Sequence, residues 1–124
     1  MFDSTRFGFS PIVVSPPGAS LVFVSGQLAS DQNENFEHQV DQAFRALQAA
    51  LDAAGATPQT VLRITCLVVD HDPERRTVVS NARLRFFQGQ APASTIIPVP
   101  RLAEETALFE IDAIAMVHEP VSTA

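Results

Sequence analysis

This 124-residue chain predicts a mixed α/β (α+β) fold, with two helices packed on one face of a sheet. Three observations carry that reading. Apolar residues recur at helical spacing in two segments. Five other segments are short and either β-branched, continuously apolar or alternating. The two kinds interleave in the order β-β-α-β-α-β-β, which lets both helices share one face of a single mixed sheet.

The elements follow in order. "IVVSPPGASLVFVSGQL" predicts two strands joined by a turn at Pro16–Pro17–Gly18. The second strand, Leu21 to Val24, is continuously apolar, as expected when both faces of a sheet are covered. Ser25–Gly26–Gln27 ends it, and Gly26 permits a backbone bend or a close approach by a ligand. A helix begins at Asn33 or Asn35. Its stripe is Phe36, Val40, Ala43, Phe44, Leu47, Leu51 and Ala54, with Glu37, Asp41, Arg45, Gln48 and Asp52 opposite. Gly55 suits a left-handed C-terminal cap. "TVLRITCLVVD" is a strand rich in β-branched residues. Asp72 then caps a second helix, Pro73 fits its first turn and Gly89 stops it. Val78, Val79, Ala82 and Phe86 form its inner stripe, and its arginine-rich side reads as a solvated surface. "STIIPVP" is a strand suited to a sheet edge by Pro98, and "TALFEIDAIAMV" is a long strand.

Length and the absence of linkers, repeats or low-complexity tracts predict one domain over residues 1–124. No apolar run approaches the roughly 20 residues that span a bilayer. "MFDSTRFGFS" has an acid near its start and no uninterrupted apolar core of signal-peptide length, so a soluble, cytoplasmic protein is expected. The net charge of −6 argues against nucleic acid as the main partner, although Arg75, Arg76, Arg83 and Arg85 offer a local basic strip. All eight basic residues are arginines. Lysine is absent, which excludes Schiff-base chemistry through a lysine amine and the usual anchor of pyridoxal phosphate. Tyrosine is absent too, so no phenol donates a proton. No cofactor is expected. His38, His71 and His118 lack metal-ligand spacing with one another or with Cys66, so no metal is expected either. The lone Cys66 reads as a small buried hydrophobe. With both helices on one face, the opposite sheet face keeps exposed apolar side chains, and a closed homo-oligomer is expected to cover them.

Glu110 is the main candidate for chemistry. It interrupts the apolar strand "LFEIDAIAMV", where alternation puts Glu110, Asp112 and Ile114 on one face and Phe109, Ile111 and Ala113 on the other. A carboxylate on a mostly buried strand must be hydrogen-bonded, neutralised or useful, and burial would raise its pKa towards that of a general acid or base. The structural alternative is a polar seam in which both carboxylates pair with arginines such as Arg101. Ser25 and Gly26 at a strand end offer a hydroxyl and backbone amides. Ser94, in a proline-containing turn, reads from composition alone as local backbone bonding.

Taken together, "VFVSGQLA", "ALQAALDAAGATPQTVLRITCLVVD", "FFQGQAPAST" and "RLAEETALFEIDAIAMV" resemble the RidA/YjgF family, also called reactive intermediate deaminases or, in older usage, L-PSP endoribonucleases. The resemblance spans roughly residues 10–117 in the family's order and spacing. It implies a chorismate-mutase-like fold and a homotrimer with a central barrel, helices outside and pockets at the subunit interfaces. It further implies hydrolysis of enamines or imines to a carbonyl compound and ammonia, with Glu110 positioning or activating water and Ser25 and Gly26 bordering the pocket. Three family positions differ. The arginine that holds a substrate carboxylate falls on Ser94, the N-terminal tyrosine on Ile12, and the asparagine before the Phe pair on Ser80, with Asn81 adjacent. A serine hydroxyl supplies neither the charge nor the fork geometry of a guanidinium.

Two readings follow. One is an enamine/imine deaminase with altered substrate choice, in which Ser25 and Ser94 bond a neutral or differently charged substrate and Arg101 reaches over to replace the lost charge. The other is a non-catalytic trimer that binds a small metabolite. The older family name adds RNA cleavage, against which the acidic charge and the lack of a His/Lys set argue.

Overall fold

The β-branched runs and the helical stripes form elements where the periodicity puts them, with one exception at the N-terminal end. The computed structural model describes residues 4–118; positions 1–3 and 119–124 of the expected domain lie outside the described residues. After a single 3-10 turn at Ser4–Phe7 come β1 (Ser20–Gln27), α1 (Phe36–Ala54), β2 (Val61–Val69), α2 (Pro73–Phe87), β3 (Ala93–Val99) and β4 (Phe109–Val117). The sheet order is β1-β4-β2-β3, with β1/β4 and β4/β2 antiparallel and β2/β3 parallel. This is the expected α+β class, with four strands among the described residues where five were expected.

The missing strand is the first. Residues 11–15 form no ladder, and Ile12 is 77% exposed. Pro11, Pro16 and Pro17 bring no N–H donors, so the arm has few groups with which to build a ladder. It is tied instead through Ser10, whose backbone N–H donates to Pro92 O (2.8 Å) and whose hydroxyl donates to Ala91 O (2.5 Å).

The caps match the sequence. Asn35 accepts from His38 N–H to start α1, and Gly55, at φ 76°, ends it in the left-handed conformation. Asp72 accepts from Arg75 N–H and Pro73 opens α2. That helix closes on Gln88, itself left-handed, one residue before Gly89.

Both helices lie over one sheet face. Val40, Phe44, Leu47 and Leu51 of α1 and Val79 and Phe87 of α2 bury against Ile64, Cys66 and Val68 of β2 and Phe109, Ile111 and Ala113 of β4. Phe44 is the hub, stacked on Phe109 (centroids 6.1 Å) and tilted against Phe86 (5.1 Å). Among the described residues, nothing covers the other sheet face. It leaves Phe23 72%, Leu21 51% and Ile97 42% exposed. The Arg-rich side of α2 departs from expectation at one position: Arg83 is not on the solvated side but buried, 2% exposed, on the inner stripe four residues from both Val79 and Phe87.

Candidate functional site

Strand alternation decides which side chains meet. On β4, Phe109, Ile111, Ala113 and Ala115 bury under the helices, while Glu110 and Asp112 stand on the open face beside Leu67 and Thr65 of β2. Glu110 is half-buried there. Its wall comes from β1, whose pairing with β4 slips between Val24 and Gln27. Such a bulge re-aims the backbone, and here it turns Gly26 under the Glu110 side chain. A Cβ at Gly26 would lie 2.6 Å from Glu110 Cδ and collide with its carboxylate oxygen, so the approach needs glycine. Ser25 is exposed on the same bulge, and its carbonyl accepts from Gln27 Nε2 (3.0 Å). The Glu110 carboxylate takes no hydrogen bond from the described residues.

The entry to β4 is pinned by a residue with no marker in the sequence. Gln39 of α1 is fully buried. Its amide donates to Glu34 O (3.1 Å) and Gln32 O (3.2 Å), and its carbonyl accepts from Leu108 N–H (2.9 Å). The loop before α1 and the strand carrying Glu110 are thereby held to one helix turn, with both ends of the amide satisfied.

Ser94 belongs to the other face. It pairs with Ile64 on β2, and Ile96 pairs with Cys66, so both face the helices. There the hydroxyl meets Arg83, whose Nη1 donates to it at 3.0 Å, while Nη2 donates to Ser80 Oγ at 3.2 Å. Burial pushes the Cys66 thiol up from 9.0 to about 12, and Asp112 adds to this, while the Arg83 charge and Ser94 pull the other way. Burial likewise draws the Arg83 pKa below its usual value, against Cys66 and with Arg76. Gly8, at φ 78°, lets the N-terminal segment lie directly on α2, where a Cβ would sit 2.8 Å from the Arg83 Cβ. The next residue, Phe9, then places its ring 5.0 Å from the guanidinium. Phe9, His71, Arg76, Arg83, Ser94, Ile96 and Pro98 enclose a cavity of about 280 Å³.

The structure therefore joins Glu110 with Gly26, and Ser94 with Ser80, and puts the sheet between the two pairs. Ser80 is buried and Asn81 exposed, so the inward position is serine. Ile12 lies on the irregular arm, away from any ladder. Arg101 does not stand in for the missing charge. It is held by Glu105 (3.0 Å) and by the carbonyls of Leu102 and Ala103 within its own loop. The arginine beside Ser94 is Arg83, which sequence reasoning assigned to solvent. Its spacing from Val79 and Phe87 was the available signal.

This arrangement of sheet and helices is that of a known family. The family model described as endoribonuclease L-PSP matches residues 5–117, and the chain belongs to that family, the RidA/YjgF proteins. Among its relatives, the RutC family protein YjgH of Escherichia coli K12 is 32% identical over 103 residues, covering 80% of this chain and 77% of that one. A Yersinia pestis structure, described as a protein of unknown function of the conserved Rid family, YyfB, superposes with a TM-score of 0.85 at 31% identity, over 94% of this chain and 92% of that one. A Mycobacterium tuberculosis member of the YjgF/YER057c/UK114 family gives 0.69 at 30% identity, over 92% and 91%.

Proposed function

We propose that this chain is a hydrolytic enamine/imine deaminase, working in the cytoplasm as a homotrimer with pockets between its subunits. The observation that carries the reading is Glu110: a carboxylate on a strand otherwise buried by alternation, seated over the bare backbone of Gly26 and bonded to none of the described residues. A carboxylate so placed is free to hold a water molecule. In the reaction it takes a proton from that water as the oxygen attacks the imine carbon. It gives that proton to nitrogen to form the carbinolamine, then takes the carbinolamine hydroxyl proton and passes it to nitrogen as the C–N bond breaks, so that imine and water become carbonyl compound and ammonia. The apolar open face at Leu21, Phe23 and Ile97 supports closure by further copies of the chain. Because Glu110 and Ser94 project from opposite sides of one sheet, a pocket that uses both draws them from two subunits.

The test is ammonia release from a panel of charged and uncharged imines and enamines. Glu110→Gln is expected to lower the rate about a hundredfold or more with the circular dichroism spectrum unchanged. Full activity in Glu110→Gln, or no ammonia from any compound, would overturn the proposal. Return of an intact small molecule from a metabolite mixture, with no turnover, would mark the chain as a binding protein instead.

A further inference from the structure

The cavity between α2 and β3 holds a buried cation without a counter-ion. Arg83 is 2% exposed, and two of its five N–H groups go to hydroxyls, those of Ser94 and Ser80. Its Nε–H is buried and has no acceptor. His71, which lines the same cavity, has a buried Nδ1 that is also unpartnered. Arg76 adds a second guanidinium to the lining, and no carboxylate does. The ion pairs among the described residues, Arg45–Asp41 and Arg101–Glu105, lie elsewhere. The Cys66 thiol, which interacts with the Arg83 charge, supplies no counter-ion either, because burial holds its pKa at about 12 and keeps it neutral at physiological pH.

A buried guanidinium left unpaired is destabilising, and a buried donor left open adds to that cost. An anion entering the cavity relieves both. The shape of the open donors selects its class. With Nη1 and Nη2 each giving one hydrogen to a serine, the Nε–H and one further hydrogen on each Nη remain, and a planar two-oxygen acceptor can take two such donors at once. The volume of about 280 Å³ suits an acid of a few carbons, with Ile96 and the Phe9 ring as its apolar walls.

We infer that Arg83, reaching across from helix α2, is the anion anchor of this pocket and that its ligand is a small aliphatic carboxylate. The inference rests on the small-molecule reading above but not on turnover. It departs from the expectation that Ser94 leaves the pocket fit for a neutral or differently charged ligand. The serine holds the guanidinium in place instead of replacing it.

The test is nitrogen-15 NMR of the arginine side chains in the intact wild-type protein. Propionate, its neutral counterpart propionamide and inorganic phosphate are titrated separately. Propionate is expected to shift the Arg83 Nε–H resonance, identified by its loss in Arg83→Lys, and propionamide is expected to leave it in place. Arg83→Lys keeps the charge but removes the Nε–H edge, and is expected to weaken propionate binding about tenfold or more. If that variant fails to fold, the resonance is assigned instead by through-bond correlation to the Arg83 backbone, and the wild-type titration still decides. An unmoved Nε–H, equal binding of propionamide, or tighter binding of phosphate than of propionate overturns the inference. Propionate binding as described with no ammonia from any imine leaves it standing and removes the deaminase reading alone.

Discussion

Cys66 and Arg83 show how one residue's neighbours set its chemistry. The thiol is enclosed by the core and protonated there, so it is neither nucleophile nor redox sensor in the folded chain. Below pH 9 it is protonated in the folded and unfolded chains alike, and its contribution to stability is complete. Between 9.0 and about 12 the unfolded chain releases the proton while the folded chain keeps it, so stability falls as pH rises. The slope reaches at most about 1.4 kcal/mol per pH unit. Urea midpoints measured from pH 8 to 11 are expected to drop more steeply for the wild type than for Cys66→Val, which has no proton to lose. Parallel curves would show that the thiol titrates normally. At this scale the sequence was a partial guide. The apolar run "ITCLVV" marked Cys66 as buried, whereas arginine's usual preference for solvent hid the place of Arg83 on the inner stripe.

At the scale of elements, the bulge in β1 matters most. A regular β1 would carry its side chains past Glu110, but the slip at Val24/Gln27 brings the Gly26 backbone beneath the carboxylate. In Gly26→Ala the new methyl meets the far end of a flexible side chain, which swings aside. Stability is therefore expected to change by less than about 1 kcal/mol, while ammonia release falls towards the level of Glu110→Gln. Thermal unfolding and the rate assay on the same sample check both halves. A variant as active as wild type would mean that the contact does not position the carboxylate. The strands, helices and caps were legible because periodicity and capping are local signals: Asn35, Gly55, Asp72 and Pro73 act where they stand. The bulge was not legible beyond a glycine at a strand end, since a register slip depends on the partner strand. Nor was the loss of the first strand, where three prolines outweighed the β propensity of "IVV".

For the whole molecule, the helices cover one sheet face and, among the described residues, leave the other open. Phe23, 72% exposed at the middle of β1, is the largest apolar group on that face. Light scattering is expected to give three times the chain mass for the wild type. Phe23→Asp, which sets a charge into the proposed interface, is expected to run at the mass of one chain with its helix content kept. A wild-type protein that is monomeric at micromolar concentration would remove the trimer and, with it, a pocket drawing on both faces of the sheet. Among the described residues no helix is long and apolar enough to cross a membrane.

By itself the sequence determined the order of helices and strands after the first arm, the face of β4 on which Glu110 stands, and the presence of an uncovered apolar surface. Each follows from spacing along the chain, which repeats every two or 3.6 residues wherever the segment ends up. Tertiary structure alone decided that Gly26 lies under Glu110 and that Arg83 reaches Ser94 from another element. It also decided that the two clusters lie on opposite sides of the sheet. Those facts depend on strand order, register and helix docking, which bring together residues 84 and 11 positions apart, and no local pattern encodes them.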